Sequence, residues 1–103
     1  MKELLEDIGR WRAEGEQVVV ATVVATRRST PRPVGSSFAM SQSGALAGSV
    51  SGGCVESEIF QEAQDVFATG QPKLLSYGIS DDEGFEIGLP CGGEIDVYVE
   101  RVE

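Results

Sequence analysis

The stretch from Gln17 to Thr26 constrains the fold more than any other part of the chain. Both Val18 to Val20 and Thr22 to Val24 consist entirely of β-branched residues. A nearly continuous apolar run of this kind is typical of a strand that is covered on both faces. The sequence therefore predicts a central strand here, with the other elements arranged around it.

Apolar spacing elsewhere predicts two amphipathic helices and several shorter strands. The first helix is expected over Lys2 to Glu14, with Trp11 in the core rather than at a ligand and Gly15 as its C-cap. The second is expected over Cys54 to Thr69, and Gly70 ends it. Further strands are predicted at 36–40, 46–50, 73–77 and 94–102. These elements indicate one α+β domain: a mixed or largely antiparallel sheet of about five strands with two packed helices.

The charge distribution excludes one class of partner and suggests another. A net charge of −9 argues against general nucleic-acid binding, which needs a basic surface. No acid occurs between Gln17 and Val55, whereas that stretch holds Arg27, Arg28 and Arg32. The arginines, next to two prolines, are consistent with a local anion site. The alternatives are that buried strands carry few acids, and that a solvated loop uses its arginines in salt bridges.

Two turns combine a cysteine with a pair of glycines. The first is Ser49-Val50-Ser51-Gly52-Gly53-Cys54-Val55-Glu56, at the predicted start of the second helix; the second is Gly88-Leu89-Pro90-Cys91-Gly92-Gly93. A helix N-terminus favours anions and stabilises a thiolate, and paired glycines allow a ligand to approach the backbone. We therefore expect the two turns to form one site. The alternatives are that Cys54 is a small buried apolar residue and that the glycines serve only the chain reversal.

Several common types of catalytic site are excluded by the residues that the chain lacks. With no histidine there is no Ser/His or Cys/His triad, and most zinc sites are impossible. Neither nucleotide-binding glycine fingerprint is present. The acidic segment from Ser80 to Glu86 lacks the spacing of a calcium loop, so an exposed acidic loop is the preferred interpretation over a metal site. Thiols, small hydroxyls, arginines and backbone N–H groups remain, and these bind rather than catalyse.

The expected location is the cytoplasm. No apolar run approaches the ~20 residues of a membrane-spanning helix. The chain also carries Lys2 and Glu3 at its start, unlike a signal peptide. In a reducing compartment the two cysteines would be free thiols.

Three motifs in order resemble the N-terminal domain of the XdhC/CoxI family. They are Ser-Thr-Pro-Arg-Pro-Val-Gly (29–35), Leu-Ala-Gly-Ser-Val-Ser-Gly-Gly-Cys-Val-Glu (46–56) and Gly-Leu-Pro-Cys-Gly-Gly (88–93), and the likeness runs from about Gln17 to Val102. Members of this family are understood to bind molybdenum cofactor, to shield it, and to pass it to a xanthine dehydrogenase or CO dehydrogenase. The resemblance implies that residues 1–103 form one N-terminal-type domain. The Rossmann-like domain that follows it in typical members is then expected to be absent from this chain.

The resemblance also implies a set of residues that contact the cofactor. Cys54 would be the thiol nearest to it and a direct contact for molybdenum, with Cys91 as its neighbour; Arg32 is assigned to the phosphate mainly from its charge. The full expected set comprises Cys54, Cys91, Gly52, Gly53, Gly92, Gly93, Arg32 and Ser51. Expected partners are a client molybdoenzyme, a separate chain with the Rossmann-like domain, and further copies of the same chain.

Two other hypotheses remain open at this stage. Cys54 and Cys91 would serve as a thiol–disulfide redox pair, or Cys54 as a nucleophile, if the protein is an enzyme. Alternatively, the two turns build an oligomer interface with no cofactor. A disulfide requires Cα atoms within roughly 7 Å of each other, so geometry separates the first of these from the others.

Overall fold

The protein is represented by a computed structural model that describes residues 2–27, 33–50, 56–78 and 94–102. In this part of the chain there are two helices and five strands, which confirms the predicted α+β class. They are α1 (Lys2–Ala13), β1 (Val18–Arg27), β2 (Ser37–Ser41), β3 (Leu46–Gly48), α2 (Glu56–Thr69), β4 (Lys73–Gly78) and β5 (Glu94–Arg101). Within those ranges neither helix is long and apolar enough to cross a membrane.

The strands form one antiparallel sheet in the order β3-β2-β1-β5-β4. β1 therefore lies at the centre, as its composition predicts. It pairs with β2 from Val18 opposite Ser41 to Thr22 opposite Ser37, and with β5 as far as Arg27 opposite Glu94. A bulge between Val23 and Ala25 shifts the register with β5.

The main core lies between α2 and one face of the sheet. Four residues of α2 at helical spacing are buried, namely Ile59, Ala63, Val66 and Phe67. They pack against alternate residues of the central strands, including Val19, Val23, Phe38, Met40, Ile95, Val97 and Val99. The period of two in β5 places its valines inward and its polar residues outward. The predicted apolar stripe of the second helix is confirmed over this range.

α1 covers only part of the opposite face. Its Leu4 and Trp11 pack with Val18 and Ala39, and Trp11 is only 5% exposed, as expected of a core residue. At the bulge, Val24 is 47% exposed. The prediction that the central strand is covered on both faces is thus right for its first half only. α1 lies over β1, β2 and β3, and an antiparallel sheet tolerates solvent on the rest of that face.

Both helices end at glycines with positive φ. The Gly15 N–H bonds to the Arg12 carbonyl with φ +84°, so the predicted C-cap is confirmed. Gly70, with φ +73°, ends α2 and bonds to Val66. The Arg101 guanidinium donates to the Phe67 carbonyl at 3.2 Å, which ties the C-terminus of α2 to the end of β5.

Gly48→Ala is expected to destabilise the fold far more than Gly44→Ala. Both glycines have positive φ, +82° and +105°, so each alanine carries backbone strain of about 1 kcal/mol. A Cβ on Gly44 meets nothing within 4 Å, whereas one on Gly48 collides with the Ser37 carbonyl oxygen. We expect Gly48→Ala to lower the free energy of unfolding by at least ~1 kcal/mol more than its control. Urea denaturation measures both, and equal losses would contradict the described backbone approach.

Candidate functional site

All eight residues predicted to contact a cofactor lie outside the described residues. They are Arg32, Ser51, Gly52, Gly53, Cys54, Cys91, Gly92 and Gly93. The acidic segment from Ser80 to Glu86 lies outside them as well. These assignments therefore stay predictions. The described residues next to each motif show from which part of the fold each one departs.

The segment containing Cys91 joins two strands at one end of the sheet. β4 finishes at Gly78, which is opposite Glu94 at the beginning of β5. Glu94 is in turn opposite Arg27, the last residue of β1. The segment containing Arg32 follows directly from Arg27, so it leaves the same end of the sheet as the segment containing Cys91.

The other half of the sheet directs the chain toward this end as well. β2 begins at Ser37 beside Thr22, and β3 finishes at Gly48 beside Phe38. The chain that leaves β3 toward Cys54 therefore exits in the same direction as the end of β1. We call this side of the molecule, marked by Arg27, Gly78 and Glu94, the motif end of the sheet. β3 runs toward it but stops short, because Gly48 is level with Ala21, six residues before Arg27.

Side-chain contacts of α2 fix its direction relative to the motif end. Lys73, at the other end of β4, bonds to Glu62 at 2.9 Å and to Asp65 at 2.8 Å. Arg101, at the far end of β5, holds the Phe67 carbonyl. The last turns of α2 thus lie away from the motif end. Its first residue, Glu56, consequently lies toward the motif end.

Both cysteines lie close to these anchors in the sequence. Cys54 is two residues before Glu56, and Cys91 is three residues before Glu94. The nearest described residues after the two cysteines are thus the first residue of α2 and the first residue of β5.

Glu56 makes contacts that sequence reasoning missed. Its Oε2 accepts a 2.6 Å hydrogen bond from the Ser49 hydroxyl and a 2.9 Å bond from the Val50 N–H. In the sequence Glu56 stands out only as the last residue of the second family motif. The carboxylate of Glu56, which follows segment 51–55, instead bonds to Ser49 and Val50, which precede that segment. A capping box has three-residue spacing, and here the Ser–Glu spacing is seven, so no standard pattern points to the contact.

The acidic side chains on the outer face of α2 affect Tyr77. Burial raises the pKa of Tyr77 to about 12, and the charges of Glu62 and Glu58 add to this effect. Lys73 opposes it, while the hydrogen bonds from Lys73 to Asp65 and Glu62 raise the pKa of the lysine itself. Tyr77 lies one residue from the end of β4, so Glu58 is placed near the motif end too.

Two further features concern the described residues alone. None of their acids form a group of three or more that could hold a metal. A groove of about 780 Å³ lies between α1 and the sheet, on the face opposite α2. Leu5, Val20 and Val102 line it together with the polar residues Thr22 and Ser37.

Comparison with known proteins agrees with the motifs. The model of the XdhC and CoxI family matches residues 11–78. This chain belongs to the XdhC and CoxI family. It is 34% identical over 88 residues to the molybdenum cofactor insertion chaperone PaoD of Escherichia coli, covering 85% of this chain and 27% of that protein. It is also 34% identical over 89 residues to a protein of Bacillus subtilis named as a probable xanthine dehydrogenase subunit, covering 84% of this chain and 27% of that protein.

A solved structure shows the same fold. A protein described as a xanthine dehydrogenase from Bacillus halodurans superposes with a TM-score of 0.79 and 31% identity. The match covers 98% of this chain and 30% of the solved one. The chain thus spans between a quarter and a third of the length of these family members.

Tyr77→Phe is expected to make the protein less sensitive to alkaline pH. The pKa of tyrosine is 10.0 in the unfolded chain and about 12 for Tyr77 in the fold. A raised pKa means that the stabilisation is complete below pH 10 and is lost as the pH rises toward 12. The difference in unfolding free energy between wild type and Tyr77→Phe should therefore change over that window. Tyrosinate absorbance gives the titration directly, with Tyr98→Phe as the control, and a Tyr77 midpoint near pH 10 would contradict the described burial.

Proposed function

We propose that this chain binds molybdenum cofactor at the motif end of its sheet and assists insertion of the cofactor into a xanthine dehydrogenase- or CO dehydrogenase-type enzyme. The cofactor is cargo, held and then released. The observation that carries the proposal is that the connections with the three family motifs are all directed toward one end of the sheet: those after β1 and before β5 adjoin that end, and β3 runs toward it. The name of the similar protein PaoD supports the same function.

The residues of the motifs have the chemistry that this cargo requires. Thiolates from Cys54 and Cys91 suit a soft metal centre, with Cys54 as the nearer contact. Arg32 is assigned to the phosphate, because a guanidinium matches two phosphate oxygens at once. Backbone N–H groups around Ser51 and the paired glycines Gly52, Gly53, Gly92 and Gly93 would complete the cradle, since glycine allows close approach.

The residue types at the motif end favour binding of a ligand over catalysis. With no histidine in the chain, the motif end has no obvious general base that works near neutral pH. A protein that must transfer its bound cofactor to another protein needs only moderate affinity for it, provided by a few specific contacts.

The proposal implies particular partners. Release of the cofactor requires a client molybdoenzyme in the same compartment, which we take to be the cytoplasm. A Rossmann-like domain on a second chain is proposed to complete the site, and this chain is proposed to associate with itself.

Cys54→Ser is expected to reduce retention of molybdenum cofactor by at least about tenfold, since one strong contact is worth a factor of this size. Purified protein is incubated with the cofactor, passed through a desalting column, and assayed for bound pterin by its fluorescence after oxidation. Arg32→Gln should weaken retention similarly, whereas Arg28→Gln, with the same charge change four residues earlier, should not.

Equal retention by wild type and Cys54→Ser would remove the thiol from the mechanism. Thiol titration after mild oxidation tests the redox alternative in the same samples. Two free thiols per chain agree with cofactor binding, and none in a monomeric product would indicate a Cys54–Cys91 redox pair instead.

A further inference from the structure

We propose that Glu56 is a positioning residue that holds the Cys54 segment in place for its ligand. This inference rests on the proposed function, in which Cys54 contacts the cargo. The carboxylate accepts hydrogen bonds from Ser49 and Val50, whereas Cys54 lies between those residues and Glu56 in sequence. One side chain therefore joins the two ends of the segment that carries the thiol.

Both ends of this link are anchored in the core. The Val50 side chain is fully buried on one side of segment 51–55, and Ile59 is fully buried one turn into α2 on the other. The backbone N–H of Val50 and the first turn of α2 thus have fixed positions, and Glu56 spans between them. Hydrogen bonds to an ionised carboxylate are about twice as strong as neutral ones, so the link is suited to withstand local opening.

The composition of the segment explains why such a link is needed. Ser51-Gly52-Gly53-Cys54-Val55 contains adjacent glycines, the residues that lose the most backbone freedom on ordering. If the ends were free, ordering that segment around a ligand would lower the affinity. A carboxylate that fixes both ends in advance reduces this entropic cost at the moment of binding.

A general helix-dipole role does not account for the contacts of Glu56. Any acid in the first turn of α2 complements the dipole, and Glu58 is such an acid. The charge of Glu58 contributes to the raised pKa of Tyr77 in β4, however, whereas Glu56 bonds to the chain that leaves β3. The two glutamates carry the same charge in the same helical turn, so Glu58→Ala is a matched control for Glu56→Ala.

Amide hydrogen exchange tests the link without any cofactor. In Glu56→Ala the Val50 N–H should exchange at least about tenfold faster, because a charge-assisted bond is worth that factor or more in a local opening equilibrium. Glu56→Gln keeps an acceptor oxygen and should restore most of the protection. Glu58→Ala should leave the Val50 rate unchanged. The Val97 amide of β5 reports on global opening, and equal acceleration of Val50 and Val97 would overturn the proposal.

Cofactor retention tests the consequence for the site. We expect Glu56→Ala to retain molybdenum cofactor at least about fivefold less well than wild type, since the loss of one positioning bond costs somewhat less than the loss of a direct contact. Glu56→Gln should retain nearly as much cofactor as wild type, and Glu58→Ala should retain the same amount. Retention by Glu56→Ala equal to that of wild type, in samples whose Val50 amide has lost protection, would overturn the positioning role.

The two proposals fail in different ways. If wild type itself retains no cofactor, the proposed function is wrong, and the Val50 exchange rates still decide whether Glu56 links the two ends. If wild type retains cofactor and the Glu56 variants do so equally, only the positioning role is wrong.

Discussion

Burial of the central strands beneath α2 is the interaction on which the rest of the structure depends. β1 and β5 present alternate aliphatic residues to one face, and the inward residues of α2 cover them. Because an amphipathic helix has a single apolar stripe, covering this face fixes the rotation of α2 about its own axis. The ion pairs of Lys73 and the bond from Arg101 to the end of the helix then fix its direction.

This packing has a consequence for function because it determines where α2 begins. The first turn of the helix is directed toward the side of the molecule where β1 and β4 end and β5 begins, although the residues involved come from widely separated parts of the chain. An antiparallel sheet of this strand order sends the β1–β2 and β4–β5 connections out of the same end. The motif end is thus a product of topology. The buried core lies between the sheet and α2, whereas most residues of the family motifs belong to connections, the part of a fold in which binding residues are commonly found.

Acidic residues near a proposed anion site have a physical explanation in this arrangement. Glu56 directs its charge to the donors of Ser49 and Val50, so that charge is already engaged in hydrogen bonds. Glu62 and Asp65 are engaged by Lys73 farther along the helix. The stretch without acids, from Gln17 to Val55, includes two of the three segments that carry the family motifs.

The sequence by itself determined the elements, their order and the family. β-branched residues in β1, the helical stripe ending at Phe67 and the alternation in β5 depend on local periodicity, which is readable in one dimension. Strand ends are predictable to within two residues for the same reason, whereas coverage of β1 is overestimated because an apolar strand does not reveal how far a helix extends above it. Only the tertiary structure decided that the motif connections are directed toward one end of the sheet, and that Glu56 reaches back to Ser49 and Val50. Such contacts arise from strand register and helix direction, which depend on packing between distant segments and leave no regular spacing in the chain.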